Sequence, residues 1–261
     1  MKKTPTEEIK LLPEEPKLLE TSQPVEQIQF ISKKVEQTTS TTHKNPLLIL
    51  ITGGAAAGKT TLTNQIKEHL EQNQQETLIL PLDHYYAYSP LLFQSRNPIL
   101  HEIFQWEELN KDLETLLAGK PIYLPTYDDS EGKKFTRSSE LVNSTPTIIL
   151  EGMLSFFNQE IRAKSDLKIY LEVADEIRLE RRLVRYKKGL AEGKFTKPIE
   201  FEIERFYKGK PKENQETYVE PVKQYADLVV NNDNSGGKVE EVAEAIKEKL
   251  KAKINNEPSQ D

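Results

Sequence analysis

The sequence contains no cysteine, and that absence excludes three kinds of site at once. A chain of 261 residues without Cys has no disulfide framework, no thiolate metal site and no Cys nucleophile. The absence is also compatible with a reducing compartment, so we expect a cytoplasmic protein.

Long hydrophobic runs and an excess of basic charge are missing as well. No apolar run approaches the roughly 20 residues that a membrane-spanning helix needs. The opening Met1–Lys3 is followed by Glu7 and Glu8 rather than by an apolar stretch, so we expect no secretory signal. The net charge of −6 argues against a nucleic-acid partner held by bulk charge. We therefore expect neither a membrane nor a nucleic-acid partner.

The two ends of the chain differ in composition from its middle. Residues 1–45 are rich in Glu, Lys, Gln, Thr and Pro, which predicts a disordered or loosely docked extension. Four apolar residues in it recur near helical spacing: Val25, Ile28, Ile31 and Val35. A docked helix and a transient helix in a solvated tail explain them equally well. Residues 46–253 are predicted to form the main domain, and residues 254–261 a disordered polar tail.

Apolar runs alternate with helical stripes in the middle of the chain, which predicts an α/β protein with a mostly parallel sheet. The expected strands are Leu47–Thr52, Thr77–Leu82, Thr147–Leu150, Leu167–Val173 and Leu228–Val230. The expected helices start at Thr60, at Trp106, after a capping Asp175 and at Val239. The run Tyr127–Asp129 is expected in a polar loop.

One motif carries most of the functional information. Residues Gly53–Thr60 read G-x-x-x-x-G-K-T between a predicted strand and a predicted helix, which indicates a phosphate-binding P-loop. Its backbone N–H groups turn toward phosphate oxygens, and the helix adds the positive end of its dipole. Lys59 is expected at the β- and γ-phosphates, and Thr60 at Mg²⁺. The expected nucleotide-binding residues are Gly53, Gly54, Ala55, Ala56, Ala57, Gly58, Lys59, Thr60 and Thr61.

Two carboxylates, Asp83 and Glu151, each follow a predicted strand. Ligands of open parallel sheets bind at the carboxyl ends of the strands. Phosphoryl transfer needs a metal ion at the phosphates and a group that orients the nucleophile. Either acid alone is more often a turn residue or a helix cap, but with the P-loop the two acids predict a kinase-like site.

Three arginines share one face of the helix predicted after Asp175: Arg178, Arg182 and Arg185. They fit a lid helix that closes over the transferred phosphate. On charge alone, a solvated face paired with Glu176 and Glu180 is the better explanation. The neighbouring run Lys188–Lys194 suits a mobile lid. Near Asp83, the side chains of His84 and Tyr86 either stack on a substrate ring or pack beneath a loop.

These segments, in this order and spacing, resemble the uridine kinase family of P-loop kinases, the uridine–cytidine kinases, which are allied to phosphoribulokinase. The matching segments are Gly53–Thr61, Asp83–Tyr86, Ala118–Ile122, Pro125–Asp128, Ile148–Leu154, Asp166–Tyr170, Ile177–Arg185 and Tyr218–Asp227. The resemblance covers most of the chain. It implies the P-loop nucleoside triphosphate hydrolase fold, a three-layer α/β/α arrangement with about five mostly parallel strands and a helical lid at about residues 178–215.

The resemblance also implies an activity, the phosphorylation of the 5′-hydroxyl of uridine or cytidine in pyrimidine salvage, with ATP or GTP as donor and Mg²⁺ as cofactor. The implied residues are Asp83 and Lys59 for catalysis, Thr60, Glu151 and Asp83 for Mg²⁺, Arg182 and Arg185 for the donor phosphates, and His84, Tyr86 and Tyr127 for the acceptor. Apart from that small-molecule substrate, the implied partner is another copy of the chain, in a dimer or tetramer.

Three departures from the family pattern lie on the acceptor side. Ile99 stands where the family has an acidic residue for the ribose hydroxyls, and Tyr186 stands where it has Asp after the second lid arginine. The loop after Asp128 lacks the family's base-contacting His. One alternative is therefore a related kinase with another acceptor, such as ribulose 5-phosphate. Its phosphate would meet a basic set of Arg96, His101, Lys133, Lys134 and Arg137. The other alternative is a nucleotide-binding regulatory protein without turnover.

Overall fold

The computed structural model describes residues 45–86, 100–128, 134–233 and 238–255, and the elements below lie within them. The strands are β1 Leu47–Gly53, β2 Thr77–Pro81, β3 Ile122–Asp128, β4 Lys134–Val142, β5 Thr147–Glu151, β6 Leu167–Glu172 and β7 Leu228–Asn231. The α-helices are α1 Lys59–Gln72, α2 Trp106–Leu117, α3 Gln159–Lys164, α4 Asp175–Ala191, α5 Ile199–Lys208, α6 Lys210–Asn214 and α7 Val239–Asn255. Short helical turns occupy Leu82–Tyr85, Leu100–Ile103, Gln215–Val219 and Pro221–Tyr225.

Five of the strands form one parallel sheet in the order β2-β5-β1-β6-β7. Its central strand β1 pairs with β5 through Ile49 and Ile149, and with β6 through Ile49 and Leu167. The order differs from the chain order, and each parallel connection crosses over one face of the sheet to return to the edge where the next strand begins. The predicted α/β class and the predicted number of about five strands are confirmed.

Helices cover both faces of this sheet, and β1 is accordingly apolar on both sides. Leu48 and Leu50 belong to the core shared with α2 and α3, whereas Leu47, Ile49 and Ile51 belong to the core shared with α1 and α7. A strand buried on both faces reads as a continuous apolar run rather than as an alternating one. This is the predicted three-layer α/β/α arrangement.

Glycines with positive φ bound two of the predicted helices. Gly58 precedes α1 with a φ of 88°, a conformation that costs a residue with a side chain free energy. Gly119 follows α2 with a φ of 74°, and its N–H donates to the carbonyl oxygen of Leu116 at 2.9 Å. Lys120 N–H donates to Thr115 O at 3.0 Å, which completes a glycine-terminated helix end. Both helices lie where the stripe pattern predicted them.

The predicted polar loop at residues 127–129 is wrong, because Tyr127 and Asp128 lie in strand β3. This strand forms an antiparallel hairpin with β4, with Tyr123 opposite Leu141 and an irregularity between Tyr123 and Pro125. The sequence signal is weak because Pro125 interrupts β3 and β4 is mostly polar. Residues 129–133 lie outside the described part of the chain.

Two predicted helix boundaries also differ from the structure. Asp175 is the first residue of α4 rather than its cap, which is Ala174. The Asp175 carboxylate instead binds the Arg178 guanidinium, because a charged donor is a stronger partner than a backbone N–H. Helix α7 continues through Asn255, so Ile254 and Asn255 are helical rather than part of the predicted tail. Residues 1–44 and 256–261 lie outside the described residues, and their predicted disorder stays a prediction.

A buried carboxylate, Asp112, joins α2 to two other elements near the site. It accepts a hydrogen bond of 2.7 Å from the Tyr85 hydroxyl and an ion-paired hydrogen bond from Arg137 of β4. Burial, and then the neighbouring Asp112 charge, raise the pKa of Tyr85 well above its usual range, which keeps the hydroxyl a donor. Asp112 therefore anchors the turn Leu82–Tyr85, which carries Asp83.

We expect Asp112→Ala to lower the free energy of unfolding by about 2 kcal/mol, because it removes the acceptor that Tyr85 and Arg137 share. Urea denaturation of the variant beside Glu248→Ala, an exposed position on α7, measures this. An unchanged midpoint would show that the anchor contributes nothing to stability.

Candidate active site

Three functional segments meet at one edge of the sheet because their strands are neighbours. The P-loop follows β1, Glu151 ends β5, and Asp83 lies just after β2. The order β2-β5-β1 places β5 between the other two, so the carboxyl ends of all three strands adjoin one another. The topology thus brings together groups that are up to 98 residues apart in the chain, from Gly53 to Glu151.

The P-loop curls around the ammonium group of Lys59. Its Nζ donates to the carbonyl oxygens of Gly53 and Gly54, both at 3.1 Å. Ala56 has a φ of 65°, so the loop uses a left-handed residue even where it has no glycine. A Cβ atom added at Gly58 would lie 2.8 Å from Nδ2 of Asn232, so only glycine fits there without a shift. The loop is therefore tightly wound and braced from outside.

The oxygen groups beside the loop suit a magnesium ion. The Thr60 hydroxyl donates to Oε1 of the buried Glu151 at 3.0 Å, and the exposed Asp83 lines the same cleft. Mg²⁺ prefers hydroxyl, carboxylate and phosphate oxygens and is usually held through one or two carboxylates plus the substrate phosphates. This set of oxygens fits the predicted metal ligands Thr60, Glu151 and Asp83.

Lys59 and Glu151 attract each other inside the cleft, and each counteracts the effect of desolvation on the pKa of the other. Desolvation lowers the pKa of Lys59, although the Glu151 and Asp83 carboxylates counteract it. Desolvation likewise raises the pKa of Glu151, with Lys59 counteracting it. Arg185 and Arg178 add positive potential that further lowers the pKa of Lys59. A polyphosphate placed here would meet a cluster of cations and would hold Lys59 in its charged form.

A cleft of about 670 Å³ opens above these groups. One wall carries the P-loop, Asp83, and the rings of Tyr86 and Phe104, which stack with centroids 4.7 Å apart. The opposite wall comes from the predicted lid and carries Tyr186 and Phe195, which stack at 4.6 Å. Two aromatic pairs thus flank a charged floor, a combination that suits a substrate with one flat ring and one polar end.

The three arginines of α4 have different roles. Arg182 and Arg185 line the cleft as predicted, and Arg185 makes no hydrogen bond or ion pair within the described residues. Arg178 is buried instead, where it binds Gln215 at 3.2 Å and lies against Gly54 of the P-loop. The charge-based expectation that Glu176 and Glu180 pair with these arginines does not hold for the described part of the chain.

The predicted acceptor residues also differ in whether they line the cleft. Tyr86 lines the cleft, whereas His84 is half-buried and lies outside the cleft wall of the described residues. Tyr127 lies in β3, and Ile99 falls among residues 87–99, outside the described chain. Of the predicted phosphate-binding set, Arg137 is engaged by Glu108 and Asp112, and the His101 ring stacks on Phe157 at 4.8 Å.

The cleft residues that sequence reasoning did not assign include Phe104, Phe195 and Glu202. Phe195 stacks on Tyr186, the residue that replaces the family's Asp, and the Tyr186 hydroxyl donates to Lys197 O at 3.1 Å. Phe104 lies just before α2, and Glu202 lies on α5, four residues before the buried Phe206. Because a glutamate is almost never fully buried unless it is paired, the sequence carried no signal for the burial of Glu202.

A second cavity of about 500 Å³ lies behind the P-loop. Its wall includes Thr61 and Arg181, and the Arg181 Nη2 donates to the carbonyl oxygens of Asn232 and Asp233, both at 2.8 Å. Asn232 in turn donates through Nδ2 to Ala57 O at 2.8 Å. Arg181 was not singled out, but it holds the end of β7 against the P-loop.

This fold, with its P-loop and two strand-end acids, defines a P-loop kinase. The chain belongs to the Phosphoribulokinase / Uridine kinase family, whose sequence pattern matches residues 48–235. It is therefore a kinase, as the sequence resemblance predicted. No helix of the described residues has the length and apolar character required to cross a bilayer.

Uridine kinases and uridine–cytidine kinases are among the similar proteins of known name. The uridine kinase of Lactobacillus helveticus (strain DPC 4571) is 33% identical over 218 residues, 81% of this chain and 97% of that protein. Uridine-cytidine kinase B of Dictyostelium discoideum is 31% identical over 76% of this chain and 79% of that protein.

Among solved structures, the fold is shared with proteins of much lower sequence identity. One is described as a candidate fructose transport system kinase from Silicibacter sp. TM1040, with a TM-score of 0.58 at 18% identity over 77% of this chain and 97% of that one. Another, the YGR205w protein, has a TM-score of 0.53 at 17% identity over 80% of this chain and 93% of that one. These matches support the fold alone.

Proposed function

We propose that the protein transfers the γ-phosphoryl group of ATP to the 5′-hydroxyl of uridine or cytidine, giving the nucleoside monophosphate for pyrimidine salvage. The observation that carries this proposal is the meeting of Lys59, Thr60, Glu151 and Asp83 at the floor of one cleft. The choice of acceptor rests on the names of the relatives, which are 31–33% identical.

The donor side of the cleft is assigned to the P-loop and the two cleft-lining arginines of the lid. The amides of residues 53–61 and the dipole of α1 would hold the phosphates, with Lys59 at the β- and γ-phosphates. Arg182 and Arg185 would reach them from the lid. The cavity behind the P-loop, beside Arg181, would take the base of the donor nucleotide.

Mg²⁺ would be held by Thr60 and Glu151, directly or through water, with Asp83 nearby, and when bound it supplies charge neutralisation at the donor phosphates. Asp83 is assigned as the base, because it is exposed to the cleft while Glu151 is occupied by Thr60. The 5′-oxygen forms a bond to the γ-phosphorus, the bond from that phosphorus to the β,γ-bridging oxygen breaks, ADP leaves, and the hydroxyl proton passes to Asp83.

The acceptor side of the cleft is assigned to the aromatic walls. The Tyr86 ring, stacked on the buried Phe104, provides an aromatic surface in the cleft on which a pyrimidine ring can stack. Of the basic set expected at a phosphorylated acceptor, Arg137 is bound to Glu108 and Asp112, whereas Arg96 and Lys133 lie outside the described residues. The regulatory alternative is disfavoured by the presence of both acids beside the P-loop, which nucleotide binding alone does not need.

A coupled assay of ATP turnover with Mg²⁺ tests the proposal against uridine, cytidine, other nucleosides and ribulose 5-phosphate. Turnover with uridine or cytidine is expected. Turnover with another acceptor alone would keep the kinase chemistry and overturn the acceptor assignment. Bound ATP without turnover on any acceptor would favour the regulatory alternative.

We expect Tyr86→Leu to raise KM for the nucleoside about two- to tenfold with little change in KM for ATP, because stacking contributes about 0.5–1.5 kcal/mol. Steady-state kinetics on uridine measures this, with Tyr123→Leu on the hairpin as the control, since Tyr123 is 52% exposed and outside the cleft wall. Equal KM values for the two variants would remove Tyr86 from the acceptor site.

Three further expectations stay predictions. They are assembly as a homodimer or homotetramer, a cytoplasmic location, and a domain division in which residues 46–253 form the kinase unit with a lid at about residues 178–215. Size-exclusion chromatography with light scattering addresses the first of them.

A further inference from the structure

A buried carboxylate on the predicted lid, Glu202 of α5, borders the cleft. Glu202 is 3% exposed and yet forms part of the cleft wall beside Arg182. A carboxylate removed from water must be paired and hydrogen-bonded to stay ionised at modest cost. The partners of Glu202 therefore indicate what it does.

Both oxygens of Glu202 bind arginines. Its Oε1 accepts an ion-paired hydrogen bond from Nε of Arg182, on α4, and its Oε2 accepts one of 3.2 Å from Nη1 of Arg205, on α5. The bond to Arg182 joins two helices of the lid and connects residues 20 positions apart. Arg205 is itself exposed, so Glu202 stands between the solvent-facing cation and the cleft-facing one.

For the function of Arg182, the nitrogen atom through which it binds Glu202 matters more than the ion pair itself. Glu202 uses Nε, and neither Nη nitrogen of Arg182 has a hydrogen bond to any described residue. A guanidinium anchored through Nε presents its two Nη groups as a rigid fork, and that fork matches a phosphate bidentately. The contact therefore orients the part of Arg182 that suits an anion.

The charge balance in the lid also indicates that Glu202 supports Arg182. Arg185 lies close enough to Arg182 for the positive charge of Arg182 to help lower the pKa of Arg185, after desolvation as the larger cause. Two neighbouring arginines repel each other, and a carboxylate on one of them offsets that cost. Glu202, bound to Arg182, thus offsets part of the repulsion between the two arginines of the cleft wall.

We propose that Glu202 is a positioning residue, which holds the Nη fork of Arg182 toward the donor triphosphate and so makes α5 part of the nucleotide site. This inference rests on the proposed function, because it takes Arg182 to contact the donor phosphates. It predicts that a residue that does not touch the nucleotide controls its affinity.

Equilibrium binding of Mg·ATP and of AMP, measured by titration calorimetry on the full chain, tests the proposal. Glu202→Ala is expected to weaken ATP about tenfold and to leave AMP within about twofold, because AMP lacks the β- and γ-phosphates. Glu202→Gln is expected to weaken ATP about threefold, since the amide oxygen still accepts from Nε but carries no charge. The control is Glu204→Gln, an exposed position on the same helix, which should behave as the wild type.

A mutant cycle with Arg182→Ala separates positioning from general destabilisation. If Glu202 acts through Arg182, the double variant Arg182→Ala/Glu202→Ala binds ATP no more weakly than Arg182→Ala alone. Additive losses, equal losses for ATP and AMP, or tighter ATP binding in Glu202→Ala would each overturn the proposal. Should Glu202→Ala not fold, the isosteric Glu202→Gln supports the same cycle.

The outcomes also distinguish this inference from the proposed function. Wild-type turnover of uridine or cytidine together with additive losses would sink the positioning role and leave the activity in place. Suppose that the mutant cycle shows the expected non-additive loss of ATP affinity, but the wild type turns over none of the acceptors. That result would support the positioning role and overturn the proposed activity. Unchanged ATP affinity in Arg182→Ala would overturn both the phosphate contact and the role of Glu202.

Discussion

Replacing Asp83 by Asn is expected to lower kcat by about 10²- to 10⁴-fold while ATP affinity stays within about twofold. Asp83 is exposed to the cleft and follows β2, whereas Glu151, the other acid of the floor, is buried and accepts from Thr60. Of these two acids, Asp83 is therefore the one placed to take a proton from an incoming hydroxyl. The amide of Asn keeps the shape and hydrogen-bonding reach but accepts no proton.

Single-turnover phosphoryl transfer and ATP titration on the same preparation separate these two effects. Glu248→Gln, an exposed carboxylate-to-amide change on α7, provides the matched control. Full kcat in Asp83→Asn would show that Asp83 is not the base. A parallel loss of ATP affinity would indicate that its main role is to hold the metal ion.

Replacing Lys59 by Met is expected to lower kcat by about 10²- to 10³-fold and to weaken ATP binding, because one preorganised cationic donor is lost. The physical reason lies in the loop, where Nζ is held by the Gly53 and Gly54 carbonyls and is desolvated enough to lower its pKa. Such an ammonium group is held in place and partly desolvated before the phosphate arrives.

Thermal unfolding with and without Mg·ATP checks this expectation beside the kinetics. In Lys59→Met the nucleotide-free Tm should fall, because the buried Glu151 loses its cationic neighbour. The rise in Tm that saturating ATP produces should shrink toward zero, since that rise measures binding. Lys249→Met, an exposed change on α7, should keep the full rise. A full rise in Lys59→Met would refute the P-loop assignment.

The sequence by itself determined the features that depend on neighbours in the chain. The P-loop requires Gly58 and Lys59 in a short fixed spacing. A strand buried on both faces is indicated by the apolar run Leu47–Ile51. Helix stripes and the glycine after α2 are equally local. The resemblance to a kinase family extends the same reasoning, because it compares short segments in order.

Tertiary structure alone decided which distant groups share the cleft. Glu202 pairs with Arg182 because α5 packs beside α4, whereas the local charges Glu176 and Glu180 suggested other partners. In the sequence, Tyr186 only marks the position where the family has Asp. In the structure, its ring stacks on Phe195, and both rings line the cleft.

The hairpin β3–β4 was missed for the same reason, since a strand interrupted by Pro125 and a mostly polar strand form by pairing with each other. Contacts across long sequence separations depend on which elements pack together, and a pattern confined to a few neighbouring residues carries no record of that choice. In this protein the donor site can therefore largely be predicted from the sequence. The lid contacts that orient Arg182 and the aromatic walls of the cleft exist only in the folded chain.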